Sequence, residues 1–129
     1  MSKSFLLIGA ILGALSVVLG AFAAHGLKKI IPAESVTTFE TGVRYQFYHT
    51  FALLILGLLL ERFPGAFMNW AGYCFIIGIV LFSGSLYLLA LLKSPESVGI
   101  NKIGIVTPFG GLFFIAGWIL LFFGILKKQ

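Results

Sequence analysis

Charge is scarce in this chain. Only 10% of its 129 residues are Asp, Glu, Lys or Arg, and only four of those are acidic. Soluble domains usually carry about 25% charged residues. Here 60% are hydrophobic and the mean hydropathy is +1.09. A soluble chain of this length has too little interior to hide so much apolar surface, so lipid is the expected solvent. Cysteine is nearly absent as well. Cys74 alone excludes an intramolecular disulfide and a zinc site built from several cysteines. The two histidines, His25 and His49, make an incomplete ligand set, so neither a metal nor another cofactor is expected. The nine Lys and Arg outnumber the acids to give a net charge of +5. They are scattered, and no basic run is dense enough for a nucleic-acid partner. There is no Ser-His-Asp order, no phosphate-cradling glycine loop and no pair of catalytic carboxylates, so a non-enzymatic role is expected.

Long charge-free runs take the place of what is missing. Ser4–Gly26 has 23 residues without a charged side chain, Tyr45–Leu60 has 16, Phe63–Leu92 has 30 and Ile103–Leu126 has 24. About 20 apolar residues suffice to cross roughly 30 Å of hydrocarbon as a helix, and in lipid a helix satisfies its own backbone. One integral membrane domain over 1–129 follows, with spans at about 4–26, 41–60, 70–92 and 104–126. The fold class is an all-α polytopic four-helix bundle with both termini on one side. No sheet, internal repeat or low-complexity linker is evident. Lys3 and the Ala21-Phe22-Ala23 triplet imitate a signal peptide, but the apolar run is long for one, and a retained span is expected. Orientation is not readable. Lys3, Arg62, Lys127 and Lys128 lie on one side, and Lys28, Lys29, Arg44, Lys93 and Lys102 on the other, which gives the positive-inside rule no bias to act on.

The second run is too short. Sixteen residues rise only about 24 Å, so the helix must extend backwards past Arg44, since Glu61, Arg62 and Pro64 block the other end. Pro32 suits the first helical turn and Glu34 suits its positive end. Residues 32–41 then form an amphipathic lead-in, with Val36, Phe39, Val43 and Phe47 as an apolar stripe. Glu40 and Arg44, four apart, can pair on one face, near the boundary where a charge is least costly. Topology brings His25, Glu40, Arg44, Gln46, Tyr48 and His49 to one membrane side, with Asn101 and Thr107 as loop contributors. This is the candidate polar cluster, either a ligand site or a structural anchor. An anionic lipid headgroup is its simplest ligand, because Arg binds phosphate through two nitrogens. A proton relay through His25, His49 and Glu40 is the alternative. Ser83 and Ser85 are expected to bond helix carbonyls, and Trp70, Tyr73 and Trp118 to serve as interfacial or packing aromatics.

Small residues recur every seven positions: Gly13 and Gly20; Thr50 and Gly57; Ala71, Gly78 and Ser85; Gly110, Gly117 and Gly124. Such a repeat keeps a helix seam against its partner, and small side chains let backbones approach where packing drives association in lipid. The seams serve the bundle itself or, for Gly9/Gly13 and Gly110/Gly117/Gly124, a second copy of the chain.

Four stretches in order, LGAFAAHGL (19–27), FETGVRYQFYHTFALL (39–54), FSGSLYLLAL (82–91) and TPFGGLFFIAGWILL (107–121), resemble the YgdD/YwdK-type family. This is a family of small bacterial membrane proteins of unknown function with distant relatives in animals. The resemblance runs through nearly the whole chain, although alanine is the commoner residue at position 42 in that pattern. It implies about four spans in a bacterial cytoplasmic membrane and supplies no reaction, substrate or catalytic residue. The expected role is a small membrane component that binds lipid or a partner membrane protein, with or without self-association. The alternatives are an oligomeric transport component or an intramembrane enzyme.

Overall fold

The computed structural model describes residues 2–92 and 98–127, of which 98–102 are described by backbone alone. Every helix or strand assigned among them is helical. Helix α1, Lys3–Ala24, is capped by Ser2, whose Oγ accepts the Phe5 N–H at 3.2 Å. His25 ends it, its backbone N–H reaching the carbonyls of Ala21 and Phe22. A 3₁₀ turn, Leu27–Lys29, leads to Pro32 and then to α2, Ala33–Leu59, one continuous helix of 27 residues. Gly65, at φ +153°, turns the chain with a backbone that a side chain would disfavour. Helix α3, Ala66–Leu91, follows, and α4 spans Val98–Leu126. The expected turn at Ser94-Pro95 lies outside the described residues.

Among the described residues, three stretches are long and apolar enough to cross a membrane: Lys3–Lys29, Ala66–Leu91 and Ile103–Leu126. Helix α2 is long enough too, but its first half is polar. At 1.5 Å per residue it spans about 40 Å, some 10 Å more than the hydrocarbon. Glu61 and Arg62 follow its other end directly. Glu40 and Arg44 belong to its polar first half, and Gln46 and His49 stand closer to its apolar second half.

The small-residue repeat is used for packing within the bundle. Between α1 and α2, a Cβ placed on Gly9 would meet Leu54, on Gly13 Thr50, on Gly20 Val43 and on Gly57 Leu6. Between α3 and α4, Gly110 lies on the Phe82 backbone, Gly117 on Phe75, Gly124 on Met68, and Gly78 on Phe114. As one helix advances seven residues, its antiparallel partner steps back seven. Both seams weighed above for a second copy are thus occupied inside the protomer.

Helix α3 is not uniform. Ile79–Ser83 forms a π-helical turn, a wide turn that takes up an extra residue and resets the faces presented beyond it. Ser83, its last residue, bonds to α2, and Ser85 beyond it bonds to α4. In α4, Pro108 lacks the N–H that would bond the Gly104 carbonyl.

The interior is layered. Phe5, Ala52, Leu53, Leu56, Leu60, Met68, Ala71 and Phe75 form one apolar cluster. Ala23, Leu27, Val36, Phe39, Val43 and Ala90 form another. Along α2, the stretch between these clusters carries the buried polar side chains Gln46, His49 and Thr50.

Candidate functional site

The polar residues of α2 divide by helical face. Val36, Phe39, Val43, Gln46, His49, Thr50 and Leu53 turn inward, whereas Glu40, Arg44 and Tyr48 are exposed. A buried polar side chain is costly without a hydrogen bond, and Gln46 and His49 are bonded to three other helices. Gln46 Nε2 donates to the Leu12 carbonyl of α1 at 3.2 Å, and the Tyr87 hydroxyl of α3 donates to Gln46 Oε1 at 2.6 Å. Ser83 Oγ donates to the Gly42 carbonyl at 2.7 Å. That bond requires close approach, and a Cβ on Gly42 would lie 2.7 Å from the Tyr87 ring. Thr50 Oγ1 is buried with no partner.

His49 is enclosed by aromatic rings. It stacks on Phe114 with centroids 3.6 Å apart and planes 9° apart, and it meets Phe75 and Trp118 on other sides. Its Nδ1 lies 2.8 Å from the Tyr45 carbonyl, and Trp118 Nε1 donates to its Nε2 at 3.1 Å. A carbonyl can only accept and an indole N–H can only donate. The imidazole therefore carries its proton on Nδ1 and is neutral, with both nitrogens occupied by the fold. Neither Gln46 nor His49 lines the hollows that border the start of α2.

The outer residues border a groove instead. Gly20, Thr37, Glu40, Val43, Arg44 and Phe47 line a volume of about 340 Å³ between α1 and α2. A second hollow of about 370 Å³, lined by Lys28, Ala33, Val36, Thr37 and Glu40, shares Thr37 and Glu40 with it. Glu40 and Arg44 are one turn apart on the same face, yet no ion pair joins them. The Arg44 Nη2 donates instead to Thr41 Oγ1 at 3.5 Å. The hydroxyl of Thr37 bonds back to the Ala33 carbonyl at 3.1 Å. The groove thus presents a cation and an anion side by side, with the partly exposed Phe47 one turn beyond Arg44 on α2.

The six residues singled out from the sequence are not brought together. Glu40 and Arg44 share the groove, Gln46 and His49 belong to the interior, and His25 and Tyr48 are exposed and line neither hollow. Tyr48 packs edge-on against Tyr45. Thr107 is no loop residue. It lies inside α4, where its hydroxyl is 2.5 Å from Ser85 Oγ, which also bonds the Phe82 carbonyl. The side chain of Asn101 lies outside the described residues. Among the described residues no group of three His, Cys, Asp or Glu is placed to hold a metal ion. Two partners of the buried polar layer escaped sequence reasoning, Tyr87 and the polar edge of Trp118. Their partners are 41 and 69 residues away, and the one available signal was that both fall inside the family-like stretches.

The sequence comparisons agree with this membrane architecture. Residues 19–111 match a family described as "Protein of unknown function (DUF423)". The chain is 41% identical over 125 residues to a UPF0382 membrane protein of Staphylococcus haemolyticus, covering 97% of each. It is 41% identical over 120 residues to the UPF0382 membrane protein YwdK of Bacillus subtilis, covering 92% of this chain and 93% of that one. It is 39% identical over 128 residues to the UPF0382 inner membrane protein YgdD of Escherichia coli, covering 99% and 93%. No solved structure matches. With these relatives matching almost end to end, and with three helices able to cross a bilayer, the chain belongs to the DUF423 family of UPF0382 membrane proteins.

Proposed function

We propose that this protein is a non-enzymatic membrane component that binds a phospholipid, with the headgroup phosphate held by Arg44 in the groove between α1 and α2. The observation that carries this reading is the state of Arg44. It is exposed on a membrane-embedded helix and bonded only to a threonine hydroxyl, although a carboxylate stands one turn away. A guanidinium near hydrocarbon is unfavourable until an anion or water completes its bonding, and phosphate matches its paired donors. Lys28 in the adjoining hollow adds a second cation, and the partly exposed Phe47 offers an apolar surface to the acyl chains. The inner polar layer supports this division of labour. Gln46 and His49 are tied to neighbouring helices, so the exposed groove carries the unpartnered charge.

Native mass spectrometry of protein released from phospholipid nanodiscs tests the reading. The wild-type protein retains phospholipid, and Arg44→Gln loses it at an unchanged melting temperature. Equal retention by both would overturn the assignment.

A further inference from the structure

The groove contains more than a phosphate site. Glu40 is exposed, lines both hollows, and makes no ion pair with Arg44. For a purely anionic ligand, a free carboxylate beside the binding cation is a defect, since like charges in one site repel. An i,i+4 Glu–Arg pair with Glu on the N-terminal side is moreover the favourable arrangement on a helix. Here the guanidinium leans to Thr41 instead, leaving the two charges side by side and separately available.

We infer that the ligand is a zwitterionic phospholipid with a primary ammonium, its phosphate on Arg44 and its ammonium on Glu40. This inference rests on the phospholipid reading above and narrows it. A phosphoethanolamine headgroup carries its two charges a few bonds apart, a span that suits side chains one helical turn apart. A primary ammonium has three N–H donors for a carboxylate, whereas the quaternary ammonium of a choline headgroup has none. Glu40 therefore selects ethanolamine over choline by hydrogen bonding, and over glycerol by charge. Lys28 lines the adjoining hollow with Glu40 and offsets the carboxylate once a phosphate has neutralised Arg44. The partly exposed Phe47 and the exposed Phe51 beyond it on α2 offer the acyl chains an apolar path, which commits the site to a lipid rather than a free headgroup.

The experiment uses the full chain in nanodiscs containing equal parts of phosphatidylethanolamine, phosphatidylcholine and phosphatidylglycerol, with retained lipid read by native mass spectrometry. The wild-type protein is expected to enrich the ethanolamine lipid several-fold over both others. Glu40→Gln abolishes that preference while phosphatidylglycerol is still retained. Glu40→Asp keeps the preference, which separates the carboxylate's role from a general disturbance of the helix. Added phosphoethanolamine, which is water-soluble, leaves lipid retention unchanged. Preference for phosphatidylglycerol in the wild-type protein, or an unaltered ethanolamine-to-choline ratio in Glu40→Gln, overturns this inference and leaves phosphate binding by Arg44 standing. Displacement by phosphoethanolamine overturns the lipid as source. Retention of all three lipids by Arg44→Gln at the wild-type level overturns the underlying reading as well.

Discussion

Trp118 donates its indole N–H to His49 Nε2 at 3.1 Å, and that bond joins α4 to α2 through a buried histidine. Trp118 is itself 46% exposed, while its N–H is turned inward to the histidine. Trp118→Phe keeps most of the ring area and removes only the donor, leaving a buried acceptor unpaired. The expected cost is about 1–3 kcal/mol, read as a lower midpoint in unfolding from mixed micelles. Replacing both partners, His49→Phe with Trp118→Phe, removes the donor and the acceptor together. The double variant should lose less than the sum of the single losses. Strict additivity would show that the bond contributes nothing.

Gln46 links three helices, since it donates to α1 and accepts from α3. Gln46→Leu breaks both bonds and leaves the Tyr87 hydroxyl without this partner. Tyr87→Phe breaks one. Side-chain hydrogen bonds between membrane helices average about 0.6 kcal/mol, and a stranded polar group adds to that. Gln46→Leu should therefore cost about 1–2 kcal/mol and Tyr87→Phe roughly half as much. Neither should change the lipid retained per folded molecule, because both act inside the bundle. Loss of lipid from a stably folded Gln46→Leu protein would contradict the separation of interior from groove.

Much of the fold was legible because lipid imposes simple rules. Charge-free runs mark the helices, and the seven-residue spacing of small side chains marks the seams. The antiparallel pairs Gly110/Phe82 and Gly117/Phe75 are the result of that spacing. The polar cluster was less legible. Proximity along the chain put Glu40, Arg44, Gln46 and His49 in one group, but successive residues on a helix point about 100° apart. Which face was inward depended on Leu12, Tyr87 and Trp118, residues far away in sequence. The π-helical turn was not legible either, since nothing in Ile79–Ser83 distinguishes it from an apolar α-helical run.

The glycines separate by what surrounds them, and their substitutions should separate likewise. A Cβ on Gly110 would collide with the backbone of Phe82, which cannot swing aside. Gly110→Ala should cost about 1–3 kcal/mol through overpacking. At Gly124 the obstacle is the Met68 side chain, a flexible group, so Gly124→Ala should cost less. A Cβ on Gly84 would meet nothing within 4 Å. Gly84→Ala should therefore be neutral or gain up to about 1 kcal/mol from helix propensity. Thermal melts of the three variants in one detergent give the order. A Gly84→Ala protein less stable than Gly110→Ala would refute the seam.

Helix α2 should change environment along its length, and a nitroxide scan in a Cys74→Ala background reads the change. Its 27 residues rise about 40 Å against roughly 30 Å of hydrocarbon, so its first two turns extend beyond the acyl chains. Labels at Thr37 and Glu40 should collide freely with a water-soluble nickel chelate. Phe51, Ile55 and Leu58 are exposed in the fold but lie at hydrocarbon depth. Labels there should collide with dissolved oxygen and not with the chelate. Leu53, fully enclosed at 0% exposure, should report low collision with both. The crossover between chelate and oxygen should fall close to Arg44, because the arginine marks the depth at which a charge still reaches headgroups. Chelate access at Ile55 equal to that at Thr37 would mean that α2 lies along an aqueous surface, and both the membrane placement of Arg44 and the lipid groove built on it would fall.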